Sequence, residues 1–265
     1  MKIVTTSLWE NTPGMCEETP KLTAYIPDKK ISDAAIVIFP GGGYVMRASH
    51  EGEGYAKFLA ENGYTAFVCD YRVSPHRFPL PLLDARRAVK LVRSKAAEYS
   101  IDKSKIAVMG SSAGGHLASL VSTYTDKIDF EDIDDIDKED FLPDAQILCY
   151  PVIKLYKNDD THMGSAQNLL GEKYDDLCYT CSTDLIAGET TPQAFIWHTF
   201  ADTSVPVGNS LDYAKRLKKN NVPVEMHIYP NGNHGLGLAE REDEISKHVS
   251  AWGKALLKWL NYIGF

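Results

Sequence analysis

Six short apolar runs limit what this chain can become: AAIVIFP (34–40), YTAFVCDY (64–71), KIAVMG (105–110), AQILCYPV (145–152), PQAFIWHTF (192–200) and VEMHIYP (224–230). Each has the length of a strand. The first five are apolar nearly throughout, the pattern of strands covered on both faces. Helical spacing fills the gaps. In 82–98 the apolar positions Ala85, Ala88, Val89, Val92 and Ala96 recur at three and four; 113–124 and 208–220 are shorter versions. A last helix over about 241–262 carries Ile245, Val249, Trp252, Leu256 and Trp259 on one stripe, read as packing. This alternation predicts an α/β fold, a mainly parallel central sheet with helices on both faces. With no internal repeat and no Ser/Gly linker, 1–265 reads as a single domain. Residues 154–190 interrupt the alternation and predict a small cap-like insertion over the C-terminal edge of the sheet.

Charge narrows the partners. The net charge is −8, and DKIDFEDIDDIDKED (126–140) alone holds nine acids against two lysines. That run has no glycine for a calcium loop and reads as a solvated insertion. No basic stripe interleaved with aromatics points to nucleic acid. No apolar run reaches the length of a membrane span. The opening MKIVTTSLWENTPG lacks the apolar core of a signal peptide. Of five cysteines, Cys69 and Cys149 fall in strand-like runs, and Cys178 and Cys181 form a lone CxxC with no second pair. The expectation is a cytoplasmic protein with no structural metal.

IAVMGSSAGGHLASL (106–120) carries the chemistry. Gly110-Ser111-Ser112-Ala113-Gly114 is a G-x-S-x-G sequence with a strand before it and a helix after it. A strand turning at once into a helix strains its central residue and projects the Ser112 hydroxyl beyond the sheet. The helix N-terminus directs amides toward the same spot. A serine needs a base and an acid to orient that base. Among eight histidines, His234 stands out because it follows the last strand in the loop YPNGNHGLGL; His50 and His76 read as loop residues, and His116 lies one helical turn beyond Ser112. Asp202 follows the strand AFIWHTF and completes the order Ser…Asp…His, with Asp159 or Asp160 as fallback acids. Pro40-Gly41-Gly42-Gly43-Tyr44 follows the first long run, and the N–H groups of Gly42, Gly43 and Ala113 are the expected oxyanion hole.

With PGGGY, DYRVSPHRFPLPLLDARRAV (70–89), GSSAGGHLAS, ADTSVP and NGNHGLGL, the chain resembles α/β-hydrolases of the carboxylesterase group. It resembles the hormone-sensitive-lipase-like enzymes and, more closely, bacterial carbohydrate esterases of the acetyl-xylan-esterase type. Pro40 stands where the lipase-like enzymes carry histidine, a departure toward the carbohydrate side. The resemblance implies an α/β-hydrolase fold, no cofactor, no metal and a short-chain ester substrate, an acetylated sugar being the expected one. It also implies that Tyr44 and His162 line the substrate pocket, and it leaves room for a homo-oligomer. Two other readings stay open. One is an amide hydrolase of the prolyl-oligopeptidase or formamidase kind; the other is a binding protein on the same fold, against which all three triad positions are filled.

Overall fold

A computed structural model describes residues 1–14, 19–130 and 133–265; Cys16, and Glu131 and Asp132 of the acidic run, lie outside them. Six strands follow the apolar runs: β3 (Ala35–Phe39), β4 (Thr65–Cys69), β5 (Ile106–Ser111), β6 (Ala145–Cys149), β7 (Ala194–Thr199) and β8 (Val224–Tyr229). Two more precede them, β1 (Lys2–Ser7) and β2 (Lys21–Ile26). They form one eight-stranded sheet in the order β1-β2-β4-β3-β5-β6-β7-β8. From β4 to β8 the pairing is parallel, while β1–β2 and β2–β4 are antiparallel. The sheet was expected without β1 and β2. β1 (KIVTTS) is polar and largely exposed, and in β2 (KLTAYI) Lys21 and Thr23 interrupt the apolar positions, so neither presents a continuous apolar stretch.

Helices cover both faces. Alternation along β3 shows why: Ala35, Val37 and Phe39 enter one apolar cluster, Ile36 and Ile38 the other. On the first face lie α2 (Leu80–Ser94), the short α3 (Ala96–Tyr99), α4 (Ser112–Thr123) and α8 (Gly208–Lys219). On the second lie α1 (Ser49–Glu61), α9 (Glu244–Val249) and α10 (Ala251–Tyr262). The sequence reading did not anticipate α1, whose two glycines dilute the helical pattern while Tyr55, Ala56, Leu59 and Ala60 still bury. The last helix, expected unbroken, divides at Ser250, where Gly253 N–H bonds Ser250 O three residues back and tightens the turn. Ile245 is exposed, whereas Val249, Trp252, Leu256 and Trp259 are buried.

Two polar arrangements fix the first face. Arg72 and Asp84, both buried, pair through Nε–Oδ2 and Nη2–Oδ1 at 2.8 Å each, and Trp9 Nε1 donates to Asp84 Oδ1 at 2.9 Å. The acidic run is not merely a solvated insertion. Asp134 makes a two-pronged bond to the buried Arg87 at 2.7 and 2.6 Å, and Asp137 lies 3.2 Å from the same guanidinium. Arg87 needs carboxylates once α2 is packed, and the run supplies them.

Residues 154–190 hold three short helices, α5 (Met163–Leu170), α6 (Tyr174–Leu177) and α7 (Thr183–Ile186). The segment packs on α4, where Ser119 Oγ meets Thr183 Oγ1 at 3.0 Å. His116 Nε2 donates to Cys181 O at 2.8 Å, which leaves Nδ1 to accept the Tyr44 hydroxyl at 2.8 Å. No helix among the described residues is long and apolar enough to cross a membrane.

Both contacts generate predictions. Asp84→Ala strands the Arg72 guanidinium in the interior and should lower the unfolding free energy by about 3–5 kcal/mol, read by urea denaturation. A loss below about 1 kcal/mol, the scale of an exposed pair, would show that the pair does not anchor this face. Burial pushes the His116 imidazole down to about 4, against the opposing bond to Cys181 O. An unfolded imidazole titrates near about 6.5, so between these values the unfolded chain holds the proton and the folded one does not. The stability contributed by neutral His116 is therefore complete above about pH 6.5 and is lost as pH falls toward about 4. Thermal melts should show a flatter pH dependence across that window in His116→Gln, and an unchanged slope would contradict it.

Candidate active site

The turn from β5 into α4 occurs at a single residue. Ser112 has φ 53, inside the left-handed region that a side-chain-bearing residue rarely adopts. Its neighbours are small for want of room. A Cβ on Gly110 would stand 2.0 Å from Gly114 O, and one on Gly114 would stand 2.0 Å from Phe39 O. The Ser112 carbonyl accepts Val152 N–H at 3.0 Å, tying the elbow to the segment that follows β6.

Ser112 Oγ lies 2.8 Å from His234 Nε2, and His234 Nδ1 lies 2.6 Å from Asp202 Oδ2. A carboxylate only accepts, so Nδ1 carries the proton and the Nε2 lone pair faces the serine hydroxyl. Asp202 sits on the turn after β7, where the N–H groups of Ser204 and Val205 donate to Oδ1 at 2.9 and 3.0 Å. Burial works to raise its carboxyl. Bonds from His198 and His234, and the charge of His234, outweigh burial and hold it well below the usual carboxylate range. The fallback acids stand elsewhere: Asp160 bonds Lys154 Nζ at 2.6 Å, and Asp159 is exposed.

His198 and Tyr150 belong to this geometry and escaped the sequence reading. His198 is wholly buried on β7, with Nε2 donating to Val205 O at 2.9 Å and standing 3.4 Å from Asp202 Oδ2. The Tyr150 ring meets His234 edge-on, centroids 5.0 Å apart. Both sit in apolar strand-like runs, where a polar aromatic reads as packing. His50, expected in a loop, lies in the first turn of α1 and bonds Gly235 O through Nε2 at 3.0 Å.

The glycine loop after β3 has Gly42 at φ 129 and Gly43 at φ 63. Val45 and Met46 N–H groups bond Gly42 O at 3.0 and 3.2 Å, turning that carbonyl into the loop. The amides of Gly42, Gly43 and Ala113 donate to no acceptor among the described residues. Ala113 N–H, in the first turn of α4, has no intrahelical acceptor, and the partly exposed Gly42 and Gly43 add two more such donors beside the strained serine.

The two expected pocket residues part company. The expectation for Tyr44 is overturned: its side chain is wholly buried, spent on His116 Nδ1 and packed edge-on against Tyr71, so it presents no surface to a substrate. His162 is half-buried and caps α5, its Nδ1 accepting Ser165 N–H at 3.2 Å, which puts its proton on Nε2. Burial, and then the charge of His234, hold His162 below the ordinary imidazole value. Among the described residues no group of three or more His, Cys, Asp or Glu could hold a metal ion. Chemically, the arrangement offers a hydroxyl that can lose its proton to an imidazole, an ionised acid behind that imidazole, and amides free to bind a developing oxyanion.

Several known proteins are similar to this chain. Endo-1,4-beta-xylanase B of Butyrivibrio fibrisolvens is 36% identical over 84% of this chain and 35% of its own length. An acetylxylan esterase of Xylanibacter ruminicola is 31% identical over 89% of this chain and 48% of its own. The chain thus spans less than half the length of these curated relatives. Among solved structures, an acetyl ester-xyloside bifunctional hydrolase from Caldicellulosiruptor lactoaceticus superposes with TM-score 0.91 at 45% identity, over 99% of this chain and 97% of that one. MGS-M1, an α/β hydrolase from a deep-sea metagenome, superposes with TM-score 0.75 at 30% identity, over 99% and 98% of the two chains. The BD-FAE family model matches residues 22–217, which include the glycine loop, Ser112 and Asp202, and the chain belongs to that family, on an α/β-hydrolase fold.

Proposed function

We propose that this protein is a serine esterase that removes short acyl groups, acetyl above all, from acylated sugars or oligosaccharides. The hydrogen-bonded row Ser112–His234–Asp202, at 2.8 and 2.6 Å, carries the reading. Similarity to an acetylxylan esterase and to an acetyl ester-xyloside bifunctional hydrolase supports the substrate class. In this reading Ser112 Oγ attacks the ester carbonyl carbon while its proton passes to His234 Nε2. Asp202 stabilises the imidazolium, and the amides of Gly42, Gly43 and Ala113 bind the oxyanion. Collapse breaks the bond to the sugar oxygen, which leaves with the proton from His234. Water then attacks the acyl-serine, His234 again taking the proton, and acetate departs as Ser112 is restored.

The same reading takes the chain as one domain in which residues 154–190 form a small cap. The bond from Asn168 Nδ2 to Gly43 O at 2.9 Å supports that role by bringing α5 against the glycine loop. His162 then contributes an Nε2–H donor to the leaving-group side. A reducing cytoplasm fits the free, buried thiols of Cys69, Cys149, Cys178 and Cys181.

On p-nitrophenyl acetate, Ser112→Ala should lower turnover by about a thousandfold or more, since removing a triad member leaves only the oxyanion donors and binding. Turnover near that of the wild type would remove Ser112 from the mechanism. A series of p-nitrophenyl esters and acetylated xylosides, run beside proline anilides, should show acetyl preferred and a steep fall beyond butyryl. Preference for long chains, or faster anilide cleavage, would replace this reading with a lipase or an amidase.

A further inference from the structure

Behind the serine rim a buried carboxyl joins the loops that meet there. Glu51, in the first turn of α1, is 3% exposed. Its Oε2 accepts Gly41 N–H at 2.9 Å, one residue before Gly42 and Gly43. Its Oε1 accepts the Tyr150 hydroxyl at 2.6 Å. The Tyr150 oxygen accepts Gly237 N–H at 2.9 Å, three residues beyond His234, and lies 3.2 Å from the Tyr55 hydroxyl. Tyr55 reaches Ser111 Oγ, next to the nucleophile, at 2.9 Å. The contact is close. A Cβ on Gly41 would stand 2.3 Å from Glu51 Oε2, 2.7 Å from Ser111 O and 3.1 Å from Ser112 Cβ.

Packing alone does not call for a carboxyl at this position. Among the described residues no Lys or Arg pairs with Glu51, and the one titratable nitrogen in ion-pair range is His50 Nε2 at 3.8 Å, itself bonded to Gly235 O. A carboxylate served by neutral donors costs stability relative to an apolar side chain of similar size. What it offers is an acceptor at two oxygens a fixed distance apart. Glutamine has one acceptor and would set an amide donor against either Gly41 N–H or the Tyr150 hydroxyl. Burial, then the Glu51 charge, hold the Tyr150 phenol well above its ordinary value, so it keeps the proton it donates.

We propose that Glu51 is a positioning residue of the esterase site, holding the glycine-loop amides, Ser112 and the His234 loop in register through Gly41, Tyr55–Ser111 and Tyr150–Gly237. This rests on the roles read above for Ser112, His234, Gly42 and Gly43. Glu51 touches no substrate. It acts on turnover because misplacing catalytic groups by roughly 1 Å can cost about a hundredfold in rate.

The test compares wild type with Glu51→Gln and with Tyr150→Phe, which removes one hydroxyl and keeps the ring. A fluorophosphonate probe reports the nucleophile and its amides without needing the natural substrate: Ser112 Oγ displaces fluoride at phosphorus. Burst titration with p-nitrophenyl acetate counts intact sites, so that kcat is expressed per site. In both variants the labelling rate and kcat per site should fall roughly 10–100-fold while KM stays within about threefold. The double variant should lose little more than the worse single, because both cut the same connection. If instead only the number of intact sites and the melting temperature fall, with kcat per site unchanged, Glu51 is structural and the proposal is overturned. Should Glu51→Gln fail to fold, Tyr150→Phe decides by the same criteria. A wild type not labelled at Ser112 would overturn the esterase reading and this proposal with it. Wild-type labelling at Ser112 with undiminished rates in the variants would overturn the role of Glu51 alone.

Discussion

At the end of β5 the backbone passes from strand to helix within one residue, and Ser112 takes the strained φ of 53 that this requires. A residue held there costs about 1–3 kcal/mol and persists only when its surroundings over-determine it. Here they do. β5 is flanked by β3 and β6, so the elbow cannot drift sideways, and Val152 N–H holds the Ser112 carbonyl from the segment after β6. The close approach of Gly110 to Gly114, and of Gly114 to Phe39 O, leaves no second path for the chain. A hydroxyl presented in this way is aimed by the backbone rather than by a side-chain rotamer.

The parallel sheet then brings distant residues to that hydroxyl. The loops after β3, β5, β7 and β8 all leave from the same edge, so Gly42, Ser112, Asp202 and His234 converge despite their separation in sequence. The chain steps from β3 outward to β4 and returns to place β5 on the other side. This reversal of strand order opens the crevice in which α/β proteins place their sites. The unpartnered amides of Gly42 and Gly43 come from one wall of it and that of Ala113 from the other.

What could be read from the sequence follows the physics that writes pattern into it. Strands buried on both faces need apolar residues at successive positions, so β3 to β7 are visible as runs. β1, at the antiparallel edge and largely exposed, and β2, its apolar positions interrupted by Lys21 and Thr23, leave no such mark, and the glycines of α1 hide a helix that packing alone sustains. Ser112, Asp202 and His234 were legible because each sits at a strand end in a loop whose composition is itself informative. His198, Glu51 and Tyr150 were not. A buried polar side chain gains meaning only from its partners, which for Tyr150 lie at Glu51 and Gly237. The reading of Tyr44 failed for a related reason. Adjacency to the glycine loop says where its backbone is, but a φ of 60 sends its ring inward to His116.

Two buried carboxyls stand near the serine, and their surroundings differ in kind. Asp202 faces two imidazoles, one of which must become positive for the proposed reaction to proceed, and its pKa is held low by those same groups. Its charge is matched to a charge that appears and disappears with each turnover. Glu51 faces an amide and a phenol, neutral groups whose charge no step of the reaction alters. It can therefore hold the loops without changing the electrostatics of the serine as the imidazole cycles. Interchanging the two environments would defeat both tasks: a carboxyl among neutral donors could not favour the imidazolium, and one tied to a titrating imidazole would slacken its hold on the loops at each transfer of the proton.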